Sequence, residues 1–178
     1  MQHPSDRTAD ELSQLTRRRL TDAAAAPRPL AALKDRAKDY SPGDTDLSWT
    51  RLTPWRALLA AALDQYPTAV TSARVEAEKN NPSADLLAAW LRASLRVSVK
   101  RTVTSGPGVT AVRLRTDSGE IAITRPDGLL AFYVVPGQPE RRVALKRRDT
   151  TELISEELRR MDADLVYEET IKSLVGGG

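Results

Sequence analysis

The 178-residue chain has no cysteine and a single histidine. Without cysteine there is no disulfide, no thiolate nucleophile and no cysteine metal site, which fits a reducing compartment. His3 sits in the polar start MQHPSDRTAD, and a lone histidine builds neither a Ser-His-Asp triad nor a multi-histidine metal site. Terminal residues of this kind are ordinarily loose, so 1–9 are expected to be a disordered start. That start also lacks the apolar stretch of a secretory signal. No apolar run elsewhere approaches the roughly 20 residues that span a bilayer, and the expected location is cytoplasmic. A glycine-rich phosphate loop is missing too: Gly106-Pro107-Gly108 is followed by neither helix nor lysine, and its proline removes a backbone donor. It reads as a turn, and no cofactor or metal is expected.

What is present is enough for one compact domain with a core of its own. The charge is uneven. Residues 1–90 balance, 91–148 carry twelve basic against four acidic residues, and 149–178 carry three against eight. A basic middle beside an acidic end can serve an acidic partner, nucleic acid, or the chain's own tail.

The patterning predicts an α+β fold, a single domain over 10–178. Its helical lead-in covers 10–66, with helices expected over 10–24 and 30–40. In the best-defined helix Thr53 is expected as N-cap and Pro54 as first helical residue, with Trp55, Leu58, Leu59, Ala62, Leu63 and Tyr66 forming a buried stripe. The sheet-rich part covers 67–148. Val70–Glu78 alternates as a half-buried strand, and a helix follows over 84–95 with Trp90 in the core. Five more short strands, separated by Gly- and Pro-containing turns, predict an antiparallel, meander-like sheet of five to six strands. Lys100, Arg113, Arg115 and Arg125 are expected on its wet face. The C-terminal helices cover 149–175, capped by Asp149 (with Glu152 three residues on) and Asp162, and Leu153, Ile154, Leu158 and Met161 are expected on the buried side of the first.

Two of the three tryptophans lie in YSPGDTDLSWTRLTPWRALLAAALDQ, beside Asp44, Asp46, Arg51 and Arg56. In GDTD the two acids fit turn and capping roles better than a metal site, which needs more oxygen ligands. Trp55 belongs to the core by its place on the stripe. Trp49 precedes the helix and stays open between core seam and partner surface, since Trp and Arg dominate interface energies. Arg17, Arg18 and Arg19 would span about 200° of a helix, so they do not face one ligand together. The basic 91–148 sheet offers a nucleic-acid-binding alternative, but only Phe132 and Tyr133 supply aromatics in its central strands.

At RRRLTDA and PLAALKDRAKDYSPGDTDLSWTRLTPWRALLAAALDQ the chain resembles the glucose-6-phosphate dehydrogenase assembly proteins, the OpcA family of actinobacteria and cyanobacteria. The similarity continues through SADLLAAWL and EELRRMDADLVYEE. The resemblance implies the C-terminal domain of a longer protein that is not an enzyme, binds glucose-6-phosphate dehydrogenase, and favours its active oligomer in the oxidative pentose phosphate pathway. The family's redox control through cysteines does not carry over to a chain without any. Asp44, Asp46, Trp49, Arg51 and Arg56, supported by Arg18 and Asp22, are the expected partner-facing or partner-positioning residues. The alternative is that this block anchors the helical lead-in to the sheet.

Overall fold

The computed structural model describes residues 18–160 and 162–176. The 1–9 start with His3, the 10–17 part of the first expected helix with Arg17, Met161 and Gly177-Gly178 lie outside the described residues. In chain order the elements are β1 (Leu20–Thr21), a 3-10 turn (Ala23–Ala25), α1 (Pro29–Lys38), β2 (Thr45–Asp46), α2 (Leu47–Thr50), α3 (Thr53–Gln65), β3 (Val70–Ala77), α4 (Pro82–Leu95), β4 (Ser98–Val103), β5 (Val109–Thr116), β6 (Gly119–Thr124), β7 (Leu130–Val134), β8 (Arg141–Ala144), α5 (Thr150–Arg159) and α6 (Leu165–Gly176). The fold is α+β, a six-stranded sheet packed by helices with a helix pair at the C-terminus.

The strand order is β4-β3-β5-β6-β7-β8. Only β5 to β8 form a meander; β3 and β4 pair in parallel, in the register Val75↔Arg101. Parallel neighbours need a crossover, and α4 supplies it by carrying the chain from one end of β3 back to the other. Ser105 to Gly108 is therefore not a hairpin turn between adjacent strands. It takes the chain from the edge strand β4 past β3 to β5.

One face of the sheet is core: Val75, Val112, Ile123 and Tyr133 lie in one cross-strand row, with Ala73, Leu114 and Ile121 beside it. α4 lies against it and is buried over most of Pro82–Leu91, Leu86 to Ala89 and Leu91 included, as its nearly continuous apolar run there requires. Trp90 is half-buried at the margin of this core. On the opposite face Lys100, Arg74 and Arg113 line up across three strands. Arg125 does not join them: it is 6% exposed and donates to the carbonyls of Leu145 and Val109 at 2.9 and 3.1 Å. It follows the last residue of β6, so strand alternation no longer governs where it points.

Several boundaries differ from the sequence expectation. Residues 18–22 are not helical and only Ala23–Ala25 makes a 3-10 turn; Leu20–Thr21 pairs in parallel with Thr45–Asp46, because backbone pairing and buried side-chain bonds there outweigh a weak local preference. Leu52, not Thr53, occupies the cap of α3; Thr53 is already helical, and its hydroxyl donates 2.9 Å to Glu156. Within α3, Trp55, Leu59 and Ala62 are buried, with Leu58, Leu63 and Tyr66 half-buried against the same core. Asp149 and Glu152 form the expected capping box. Asp164, rather than Asp162, bonds the first turn of α6, at 2.9 Å from the Tyr167 N–H. On α5 only Leu153 and Glu157 are buried; Ile154 and Leu158 face outward at 37% and 73% exposure. Glu157 takes the inward position because its carboxylate has partners waiting there.

Candidate functional site

α2 is one turn long and all four of its residues are buried. A turn this short has little stability of its own; polar side chains from distant segments hold it. Asp46 begins the arrangement. It is fully buried, its side chain accepting from the Ser48 N–H at 2.9 Å to cap α2, from the Ala23 N–H at 2.9 Å, and from the Thr21 hydroxyl at 2.6 Å. The Arg36 guanidinium of α1 donates a fourth bond at 2.8 Å. A buried carboxylate is tolerated only when its lone pairs are used in this way.

Trp49 is also fully buried. Its indole N–H donates to Asp164 at 2.8 Å, and its ring lies 5.5 Å from that of Tyr167 on α6. The Arg56 guanidinium covers the ring at 3.7 Å. Burial depresses the Arg56 pKa to about 10, with only partial compensation from Asp164. The contact is therefore a desolvated cation on an aromatic face, the stronger form of this interaction. Buried Thr50 donates to Glu157 at 2.8 Å, and Arg18 donates to the same carboxylate at 2.9 Å and to the Arg160 carbonyl. Arg148, from beyond β8, reaches Glu156 and the Thr50 carbonyl.

Arg51 and Asp22 form a bidentate pair, both bonds 2.8 Å. Burial alone would raise the Asp22 pKa, but Arg51 outweighs it and holds the carboxyl below its ordinary value. Asp44 is shifted the same way: burial opposes, while Arg19 and the Ser41 N–H stabilise the charge. Arg19 also reaches Asp39 at 2.7 Å.

All seven sequence-predicted residues thus lie in or beside one knot joining β1, β2, α1, α2, α3, α5 and α6. The pairing differs from the expected mutual rim of Asp44, Asp46, Arg51 and Arg56: each of the three acids Asp22, Asp44 and Asp46 takes a different arginine, and Arg56 takes Trp49. Reading the sequence missed Arg19, Arg36, Glu157, Asp164 and Arg148. The last three are about a hundred residues away along the chain, and no spacing signals them.

Beside the knot, Leu20 and Leu158 line an open groove of about 380 Å³ with Arg18, Glu157 and Arg160. Leu165 and Val166, at the start of α6, are exposed at 69% and 44%. Exposed leucine and valine framed by arginines give this end of the molecule interface composition. The basic sheet face offers a wider hollow over Arg74, Lys100, Arg113 and Arg115, but among the described residues no aromatic side chain lines it. No helix among the described residues is long and apolar enough to cross a membrane.

Residues 42–171 match the sequence profile of an OpcA-type family, described as the C-terminal domain of the glucose-6-phosphate dehydrogenase subunit. That span contains Asp44, Asp46, Trp49, Arg51 and Arg56 and runs through most of α6. A search of the curated proteins found no match.

Proposed function

Since the chain belongs to the OpcA family, through the C-terminal domain that its glucose-6-phosphate dehydrogenase-associated members share, we propose that it is a non-catalytic assembly factor that binds glucose-6-phosphate dehydrogenase and favours the enzyme's active oligomer. The family match over residues 42–171 carries this reading. A protein acts in this way by binding one state of its partner more tightly than another, and only that difference shifts the population.

Within this reading the signature block divides in two. Asp46 and Trp49, both fully buried, position the surface from behind. Arg18, Asp22, Asp44, Arg51 and Arg56 are half-buried and form its polar frame, with the groove at Leu20 and Leu158 receiving the enzyme. Apolar side chains flanked by Arg18 and Arg160 match the anatomy of protein interfaces.

The test is co-sedimentation and activity titration of glucose-6-phosphate dehydrogenase with the wild-type chain and with Leu158→Asp. The expected result is binding with an increase in the oligomeric, active enzyme, weakened at least tenfold by the substitution. Leu158 is 73% exposed, so its replacement should leave the melting temperature within about 2 °C. Absence of both binding and activation with the wild-type chain would refute the proposal; binding unaffected by Leu158→Asp would move the interface elsewhere. The Lys100, Arg74 and Arg113 row supports the nucleic-acid alternative, whose mark is affinity falling steeply with salt.

A further inference from the structure

Away from the groove, a cavity of about 80 Å³ opens between the start of α4, the Gly108 loop and the chain after β8. That volume is roughly three waters at about 30 Å³ each, the scale of one tetrahedral oxyanion. Arg51, Arg125, Lys146, Arg147 and Arg148 all line it, and among the described residues no carboxylate does. Arg51, Lys146 and Arg148 are neutralised on their other sides by Asp22, Glu152 and Glu156. Arg125 and Arg147 have no carboxylate partner among the described residues.

These two guanidiniums converge. A Cβ placed on Gly108 would lie 3.8 Å from Arg125 Nη2 and 3.8 Å from Arg147 Cζ. Arg125 is only 6% exposed, its Cζ 5.0 Å from the Trp55 ring centroid, and its Nε–H is buried with no acceptor. Burial, with the like charge of Arg147, pulls its pKa down to about 10. Holding this cation out of water costs free energy that an anion in the cavity would recover. The N-terminus of α4, a 14-residue helix, also borders the cavity, which Asn81 and Ser83 line. Helix starts favour negative charge. Gly108 is buried at φ +66°, so the loop passes close beneath both arginines in a conformation natural to glycine.

We propose that this cavity is an oxyanion site that binds a phosphate group, either the free ion or the phosphate of a small monoester. Guanidinium donors suit phosphate geometry, and the small volume excludes anything larger than the phosphate itself from the innermost part. The inference does not depend on the partner proposed above.

Thermal denaturation and calorimetric titration of the 178-residue chain with inorganic phosphate, against sodium chloride at equal ionic strength, test it. Saturable binding is expected, with a melting-temperature rise of about 5–10 °C at about one hundred times the Kd. Arg147→Gln, at an exposed side chain, should fold normally and weaken binding at least tenfold. Arg125→Met should abolish binding, and Lys100→Gln, on the other sheet face, should leave it unchanged. Glycerol 3-phosphate binding more tightly than the free ion assigns the site to a metabolite's phosphate; equal or weaker binding assigns it to phosphate itself. No shift beyond that of chloride overturns the proposal. So does equal loss in Arg147→Gln and Lys100→Gln, or affinity for an oligonucleotide that grows with its length.

Discussion

Replacing Asp46 by Asn tests whether the signature block is held by a charge or merely by shape. The side chains are nearly isosteric, and asparagine keeps one carbonyl oxygen for the Ser48 N–H that caps α2. What it loses is the second oxygen, Oδ2, which accepts from Thr21, Ala23 and Arg36 at 2.6, 2.9 and 2.8 Å. An amide NH₂ there would face the Ala23 N–H and the Arg36 guanidinium, donor against donor. Removing one partner of a fully buried ion pair costs about 3–5 kcal/mol. The Arg36 side chain is 33% exposed, so water partly resolvates the stranded cation and the lower end applies. The expected loss is about 3 kcal/mol, or about 6–12 °C in melting temperature for a chain of this size. Urea denaturation should show a lower midpoint with an unchanged slope. As control, Asp39→Asn removes a carboxylate that also pairs with an arginine but is 74% exposed, and should stay within about 0.5 kcal/mol. Equal and small losses in the two variants would refute the claim that burial makes the Asp46 charge structural.

Trp49→Ala removes the indole between Arg56 and Tyr167 and one of the donors to Asp164; a loss of about 3–5 kcal/mol is expected by chemical denaturation, and a loss under about 1 kcal/mol would mean the site collapses freely. Acid titration of the melting temperature probes Asp22 and Asp44, both held below the ordinary 3.8. Because the folded state binds these protons less readily than the unfolded one, their contribution is complete above about pH 4 and lost as pH falls through the folded values. In Arg51→Met the Asp22 part of that acid sensitivity should shrink, and an unaltered profile would show that the pair does not set it.

Much of the architecture was legible because it is local. The α3 stripe, the Asp149–Glu152 capping box and the alternation of β5 and β6 are written in neighbours three, four or two residues apart. The grouping of the seven site residues was also readable, through the family signature rather than through spacing. The β4-β3-β5 order was not, since β4 can pair with either free edge and only packing of α4 chooses. Nor was the outward turn of Leu158: α5 carries apolar residues enough for a wholly buried face, and its own periodicity does not say that Glu157 will be drawn inward instead.

By itself, then, the amino-acid sequence determined most of the element types from Thr53 onward, the absence of cysteine chemistry, and a conspicuous block of tryptophan, acids and arginines. Tertiary structure alone decided which arginine meets which acid, because those partners approach from 10 to more than 100 residues away. It also decided that Arg125 turns into the interior, its guanidinium beside that of exposed Arg147, so that one buried cation and one wet one face a candidate anion site.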